Sequence, residues 1–121
     1  MTPLKGIGID LIELTRLRRF LKSHPFKNCE RLLTESEKKR WRTEKQSAVF
    51  FSKLIAAKEA FFKARGGNWM GFEGFGSYEV ECLGHEQFQV RDLHLKNQPL
   101  RAQGQFFETS EWVGAQVVLW G

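Results

Sequence analysis

Alternating apolar and polar residues open the chain. Over Leu4–Leu11, Ile7, Ile9 and Leu11 fall on one side of an extended backbone and Gly6, Gly8 and Asp10 on the other. That spacing predicts a short strand whose glycine side admits another backbone closely and which closes on an acid. The period then lengthens. Leu14, Leu17 and Leu21 recur at helical intervals, predicting a helix over Leu14–Ser23 whose other faces carry Arg16, Arg18, Arg19 and Lys22. Pro25 suits the first turn of another short helix. Thr34-Glu35-Ser36-Glu37 has the form of a capping box. The longest periodic segment, Ser47–Arg65, predicts the main helix, stopped by Gly66-Gly67.

Beyond that glycine pair the period shortens again. Tyr78, Val80 and Cys82 alternate with glutamates, Phe88 and Val90 with glutamines, and Leu93 and Leu95 follow. "KNQPLR" reads as a turn, and Phe106 onward and Ala115–Trp120 as two more strands. Helices crowd the first half and strands the second. The expectation is an α+β fold, a mainly antiparallel sheet packed against one long and several short helices.

Composition narrows the picture. A chain of 121 residues with 41% hydrophobic content suits one domain over residues 1–121. No apolar run approaches the ~20 residues of a membrane span. No apolar core with a small-residue cleavage site follows the start, so the expected compartment is the cytoplasm and no membrane partner is expected. Cys29 and Cys82 lack CxxC or histidine company and read as free thiols. A net charge of +5 favours an acidic partner without choosing among nucleic acid, membrane, phosphate ligand or acidic protein.

Lys58 is the first chemical oddity. Its helix neighbours three and four positions away are Leu54, Ile55, Phe61 and Phe62, an apolar stripe. A lysine there needs an anionic partner, or must snorkel its ammonium out to water. Asp10, an acid on a glycine-lined strand face, is the second; capping the following helix is its plainest role. Glu59 and Lys63 share a helix face and read most simply as an exposed ion pair. One reading joins these puzzles. Asp10 and Glu59 hold a hard divalent cation, with water and a substrate phosphate completing its shell, and Lys58 and Lys63 face the same phosphates.

Two segments then carry a resemblance. "GIGIDLIELTRL" at Gly6–Leu17 and "AAKEAFFKA" at Ala56–Ala64 resemble the two signature motifs of the holo-[acyl-carrier-protein] synthases, small bacterial 4'-phosphopantetheinyl transferases. "ERLLTESE" and "TSEWVGAQVVL" resemble the connecting segment and last strands of that family. The resemblance implies transfer of 4'-phosphopantetheine from coenzyme A to a serine of an acidic acyl carrier protein. It implies magnesium, with manganese as the alternative, at Asp10 and Glu59. Lys63 would assist the phosphate chemistry, and Glu59 would accept the serine proton, directly or through water. Lys58, Lys63, Lys53, Gly66 and Ser110 would contact coenzyme A; Arg16, Arg19 and Lys22 would meet the carrier protein. Homotrimers with active sites at subunit interfaces are also implied.

Three positions depart from the family pattern. Leu54 stands where an arginine helps hold the nucleotide phosphate, with Lys53 beside it. Ser110-Glu111 replaces a Ser-His or Thr-His pair, and Gly66-Gly67-Asn68-Trp69 replaces a glycine-threonine-glycine run. All three touch coenzyme recognition, which leaves open a catalytically weakened homologue that docks on a carrier protein. A basic nucleic-acid-binding domain is the remaining alternative, with Phe72, Phe75, Tyr78, Phe88, Phe106 and Phe107 as its stacking candidates. Their alternating strand positions favour a core, and no nucleic-acid partner is expected.

Overall fold

A computed structural model of the chain describes residues 3–24, 26–67, 74–94 and 101–121, with only the backbone of Phe26. Five strands, β1 (Leu4–Glu13), β2 (Tyr78–Cys82), β3 (Gln87–Asp92), β4 (Arg101–Glu108) and β5 (Trp112–Trp120), form one antiparallel sheet in the order β1-β5-β4-β3-β2. Among the described residues, four α-helices, α1 (Leu14–Ser23), α2 (Phe26–Glu30), α3 (Glu35–Thr43) and α4 (Ala48–Ala64), and a 3-10 turn at Phe75–Ser77 lie between β1 and β2. This is the α+β architecture expected. β1 runs two residues further than its alternation implied, and β4 begins well before Phe106. Leu93 stands just past the end of β3; Leu95, Phe72 and Pro25 lie outside the described residues.

Two helix starts are built as the sequence specifies, whereas Asp10 does not cap α1: it lies within β1, and the N-cap is Glu13, whose side chain makes no capping bond. At α3, Thr34 Oγ1 accepts from Glu37 N at 3.2 Å while Glu37 Oε1 accepts from Thr34 N at 2.9 Å, so both bonds of the capping box form. Ser47 caps α4 by accepting from Phe50 N, and Gly66 follows that helix with φ +70.

α4 packs chiefly against β1 and β5. Its buried face is rich in alanine: Ala56, Ala57, Ala60 and Ala64 are 4% exposed or less. Opposite stands the glycine side of β1. A Cβ on Gly6 would lie 1.9 Å from the carbonyl oxygen of Ala64, and one on Gly8 1.9 Å from that of Ala60. Small residues on both sides let helix backbone rest on strand backbone, and this contact places the end of β1 beside the middle of α4. Gly8→Ala forces a methyl into a backbone atom that no rotamer change moves aside. The expected result is a loss of about 1–3 kcal/mol or more, read as a lower midpoint in urea denaturation.

The core lies between α4 and the sheet, with Phe75, Tyr78, Phe88 and Phe106 buried in it. Four of the stacking candidates are therefore core residues, and Phe107 alone among the described ones is exposed, at 41%. The opposite side of β1 is uncovered: Ile7, Ile9 and Leu11 are 60%, 54% and 55% exposed. No helix among the described residues is long and apolar enough to cross a membrane.

Candidate active site

Asp10 sits near the end of β1, paired with Ala115 of β5. The packing of α4 across Gly6 and Gly8 brings Glu59 to it, close enough for the two carboxyl groups to share a hydrogen bond. Burial first, then the facing charge and hydrogen bond of Asp10, push the Glu59 carboxyl from the 4.5 of a free glutamate up to about 7, with Lys63 pulling the other way. Lys63 reaches from α4 to β1: its Nζ donates to Asp10 Oδ1 at 3.0 Å and to the Ile9 carbonyl at 3.2 Å. The pairing expected with Glu59 on the same helix face thus gives way to an ion pair across two elements.

Two adjacent carboxylates supply hard oxygen donors and an excess of negative charge, which suits a small divalent cation such as Mg²⁺ or Mn²⁺. No group of three or more His, Cys, Asp or Glu capable of holding a metal occurs among the described residues. A cation held by Asp10 and Glu59 alone would keep positions for water and phosphate, the usual arrangement for Mg²⁺.

The raised Glu59 pKa couples protonation of this carboxyl to folding. The folded chain holds this proton more tightly than the unfolded chain does. The resulting stability is complete below about 4.5 and is lost as pH rises through about 7. With metal chelated, the melting temperature of the parent should fall across that window relative to Glu59→Gln, which has no proton to lose there.

Lys58 corrects the sequence reading. Its side chain is 0% exposed, and its Nζ donates to Glu37 Oε1 at 2.6 Å, to the Leu32 carbonyl at 2.6 Å and to the Phe75 carbonyl at 2.7 Å. Those three bonds use all three ammonium hydrogens. The expected phosphate partner is an internal carboxylate, so Lys58 has no free donor and no surface with which to contact coenzyme A. Burial lowers its pKa from the usual lysine value while Glu37 resists the change. Glu37 Oε2 accepts in turn from Val80 N at 2.7 Å. One buried pair therefore ties α4 to α3, to β2 and to the turns at Leu32 and Phe75. Glu37 was visible in the sequence only as a cap.

The remaining candidates are spread out. Leu54 is fully buried, so this chain has a core residue where the family pattern has an arginine. Lys53 is held by Glu108 at 3.4 Å and lies over the Phe106 ring. Ser110 and Glu111 are exposed in the β4–β5 turn, where Thr109 Oγ1 accepts from Glu111 N at 3.2 Å and Trp112 N at 3.0 Å. Gly66 lies past the far end of α4, roughly 20 Å from Lys53 at about 1.5 Å per residue. One chain does not bring these coenzyme candidates together. Arg16, Arg18, Arg19 and Lys22 are all exposed on α1.

A groove of about 470 Å³ joins Arg16 to the acid pair, lined by Asp10, Glu59, Leu17, Phe20, Leu32 and Ile55 among others. Sequence reasoning missed this apolar channel, because its walls come from four separate segments.

The chain matches the family model of the 4'-phosphopantetheinyl transferase superfamily over residues 6–117. It is 44% identical to a holo-[acyl-carrier-protein] synthase of Azoarcus sp. (strain BH72) over 52% of this chain and 50% of that protein. It is 36% identical to one of Staphylococcus haemolyticus (strain JCSC1435) over 72% of this chain and 82% of that protein. The alignments with several curated relatives thus span only about half to two thirds of their length. Among solved structures, a holo-(acyl-carrier-protein) synthase from Bacillus anthracis str. Ames in complex with CoA (3',5'-ADP) superposes with TM-score 0.76 at 28% identity, covering 100% of this chain and 99% of that one. A fold expected from hydropathy, and an acid pair on the two segments that carried the resemblance, thus converge with these matches: the chain belongs to the holo-[acyl-carrier-protein] synthase family of the 4'-phosphopantetheinyl transferase superfamily.

Proposed function

We propose that this chain transfers 4'-phosphopantetheine from coenzyme A to a serine hydroxyl of an apo acyl carrier protein, leaving adenosine 3',5'-bisphosphate. The observation that carries the reading is the meeting of Asp10 and Glu59, from β1 and α4, with the Lys63 ammonium beside them. In the reaction the serine oxygen bonds to the β-phosphorus as the bridging P–O bond breaks, and the electron pair of that bond leaves with the bisphosphate. The serine proton passes to a base; the Glu59 carboxylate, directly or through a bound water, is the candidate to accept it. Negative charge grows on phosphate oxygens, and a fixed ammonium such as Lys63 stabilises it most where it develops. Asp10 and Glu59 would hold the Mg²⁺ (or Mn²⁺), which supplies Lewis-acid neutralisation of the same charge.

The apolar side chains in the groove offer a dry wall to a linear substrate arm. The exposed arginines of α1 complement an acidic carrier protein, which affects encounter rate more than final affinity. Exposed Ile7, Ile9 and Leu11 on an edge strand, with Phe107 and Trp112 near them in the sheet, support a homotrimer that covers this face. Such an assembly would also let coenzyme contacts scattered over one chain converge from two.

The test is incubation with coenzyme A, Mg²⁺ and an apo carrier protein, followed by mass spectrometry of the carrier. A gain of one phosphopantetheinyl group that vanishes on chelation is expected, with sedimentation at three times the chain mass. A carrier that binds but gains nothing would instead favour a docking homologue. Buried Leu54 and the engagement of Lys53 by Glu108 are the features that point that way.

A further inference from the structure

Lys63 is 54% exposed, yet its ammonium is fixed on a carboxylate whose side chain is only 11% exposed. Exposed lysines seldom gain much from holding one geometry, because the ordering of a long stem offsets a screened attraction. This one holds two bonds, to Asp10 Oδ1 and to the Ile9 carbonyl, at the position where a second acid, Glu59, already faces Asp10. Without the lysine the site would set two carboxylates against each other with no positive charge between them.

We infer that Lys63 is the resident counter-ion of the metal-free site: the divalent cation competes with it for Asp10, and cation entry breaks the Asp10–Lys63 pair and turns the ammonium toward incoming phosphate. The inference rests on the cation reading of Asp10 and Glu59 given above and adds an order of events to it. Lys63 lies one helical turn beyond Glu59 and is attached by a flexible four-carbon stem, so it can leave Asp10 without any backbone change. The same side chain would thus offset one of the two carboxylate charges in the empty site and present its own charge to substrate only once metal is in place.

An unusual consequence follows. Removing a residue that helps the chemistry should improve binding of the metal alone. The experiment titrates Mn²⁺ into the full chain without coenzyme A, following free Mn²⁺ by electron paramagnetic resonance, at a pH about 1.5 units above the Glu59 pKa so that this carboxyl is ionised. Lys63→Met should bind Mn²⁺ on the order of tenfold more tightly than the parent, as removal of one unit charge near a surface site allows. Lys63→Arg should stay near the parent, and Asp10→Asn should lose binding. In ¹³C-lysine-labelled parent, Mg²⁺ should shift the Lys63 Cε resonance, and no such shift should occur in Asp10→Asn. Unchanged or weaker Mn²⁺ binding by Lys63→Met, or an unmoved Cε signal in the parent, overturns the counter-ion role while the cation reading stands. Parent-like Mn²⁺ binding by Asp10→Asn overturns the cation reading itself.

Discussion

Replacing Lys58 by methionine is expected to remove about 3–5 kcal/mol of folding stability, because it leaves the Glu37 carboxylate buried without its cation. Methionine nearly matches the length of the lysine stem, so the loss reflects charge and hydrogen bonding more than a cavity. Glu37 would keep its bonds from Thr34 N and Val80 N but lose the ammonium at 2.6 Å. The Leu32 and Phe75 carbonyls would lose the same donor. Against a total of about 5–15 kcal/mol for an ordinary domain, one substitution takes a large share. Urea denaturation should show a lower midpoint at unchanged slope. Adding Glu37→Gln to Lys58→Met should recover part of the loss, since a neutral amide is far easier to bury than an orphaned carboxylate. A single-variant loss below about 1 kcal/mol would mean that water or local repacking replaces the pair.

Glu59→Gln is expected to lower kcat/KM for transfer from coenzyme A by on the order of a thousandfold, about 4 kcal/mol of transition-state stabilisation. The substitution removes one of the two proposed cation ligands and the candidate base in one step, while nearly preserving shape. The same change should leave the metal-free protein as stable as the parent or more so at neutral pH, because it relieves the opposition of Glu59 and Asp10 that burial intensifies. Transfer rates and thermal melts of the same preparation check both halves. Activity within threefold of the parent would remove the acid pair from the chemistry. Lost activity with lost stability would point to a collapsed fold instead.

The elements were legible where local pattern and packing agree. Leu14–Ser23 is a helix with the bounds its leucine spacing implied, and the Gly6/Gly8 side of β1 accepts a helix backbone as its missing side chains implied. The proximity of Asp10 and Glu59 was legible for the same reason: each lies on the small-residue seam that joins strand to helix. Lys58 was legible only as a question. Its answer, Glu37, lies 21 residues earlier and is already accounted for locally as a helix cap. No periodicity signals that a cap's carboxylate also serves as a counter-ion. Lys53 and Glu108 show the same limit, since a contact between a helix and a distant strand is fixed by sheet order rather than by any pattern within either segment. The outward isoleucines of β1 were read correctly as one face of a strand, but alternation alone does not say which face meets the core.

The pairing of β1 with β5 sets a schedule for biosynthesis. Asp10 is held opposite Ala115, on a strand translated long after β1 and α4. A nascent chain that has released α4 but not yet Trp112–Trp120 has the helix and its glutamate, yet no neighbouring strand to fix Asp10 against them. Cation binding on the ribosome should therefore begin only after β5 has cleared the exit tunnel. This late closure, typical of contacts distant in sequence, makes folding slow relative to a helical bundle of equal size.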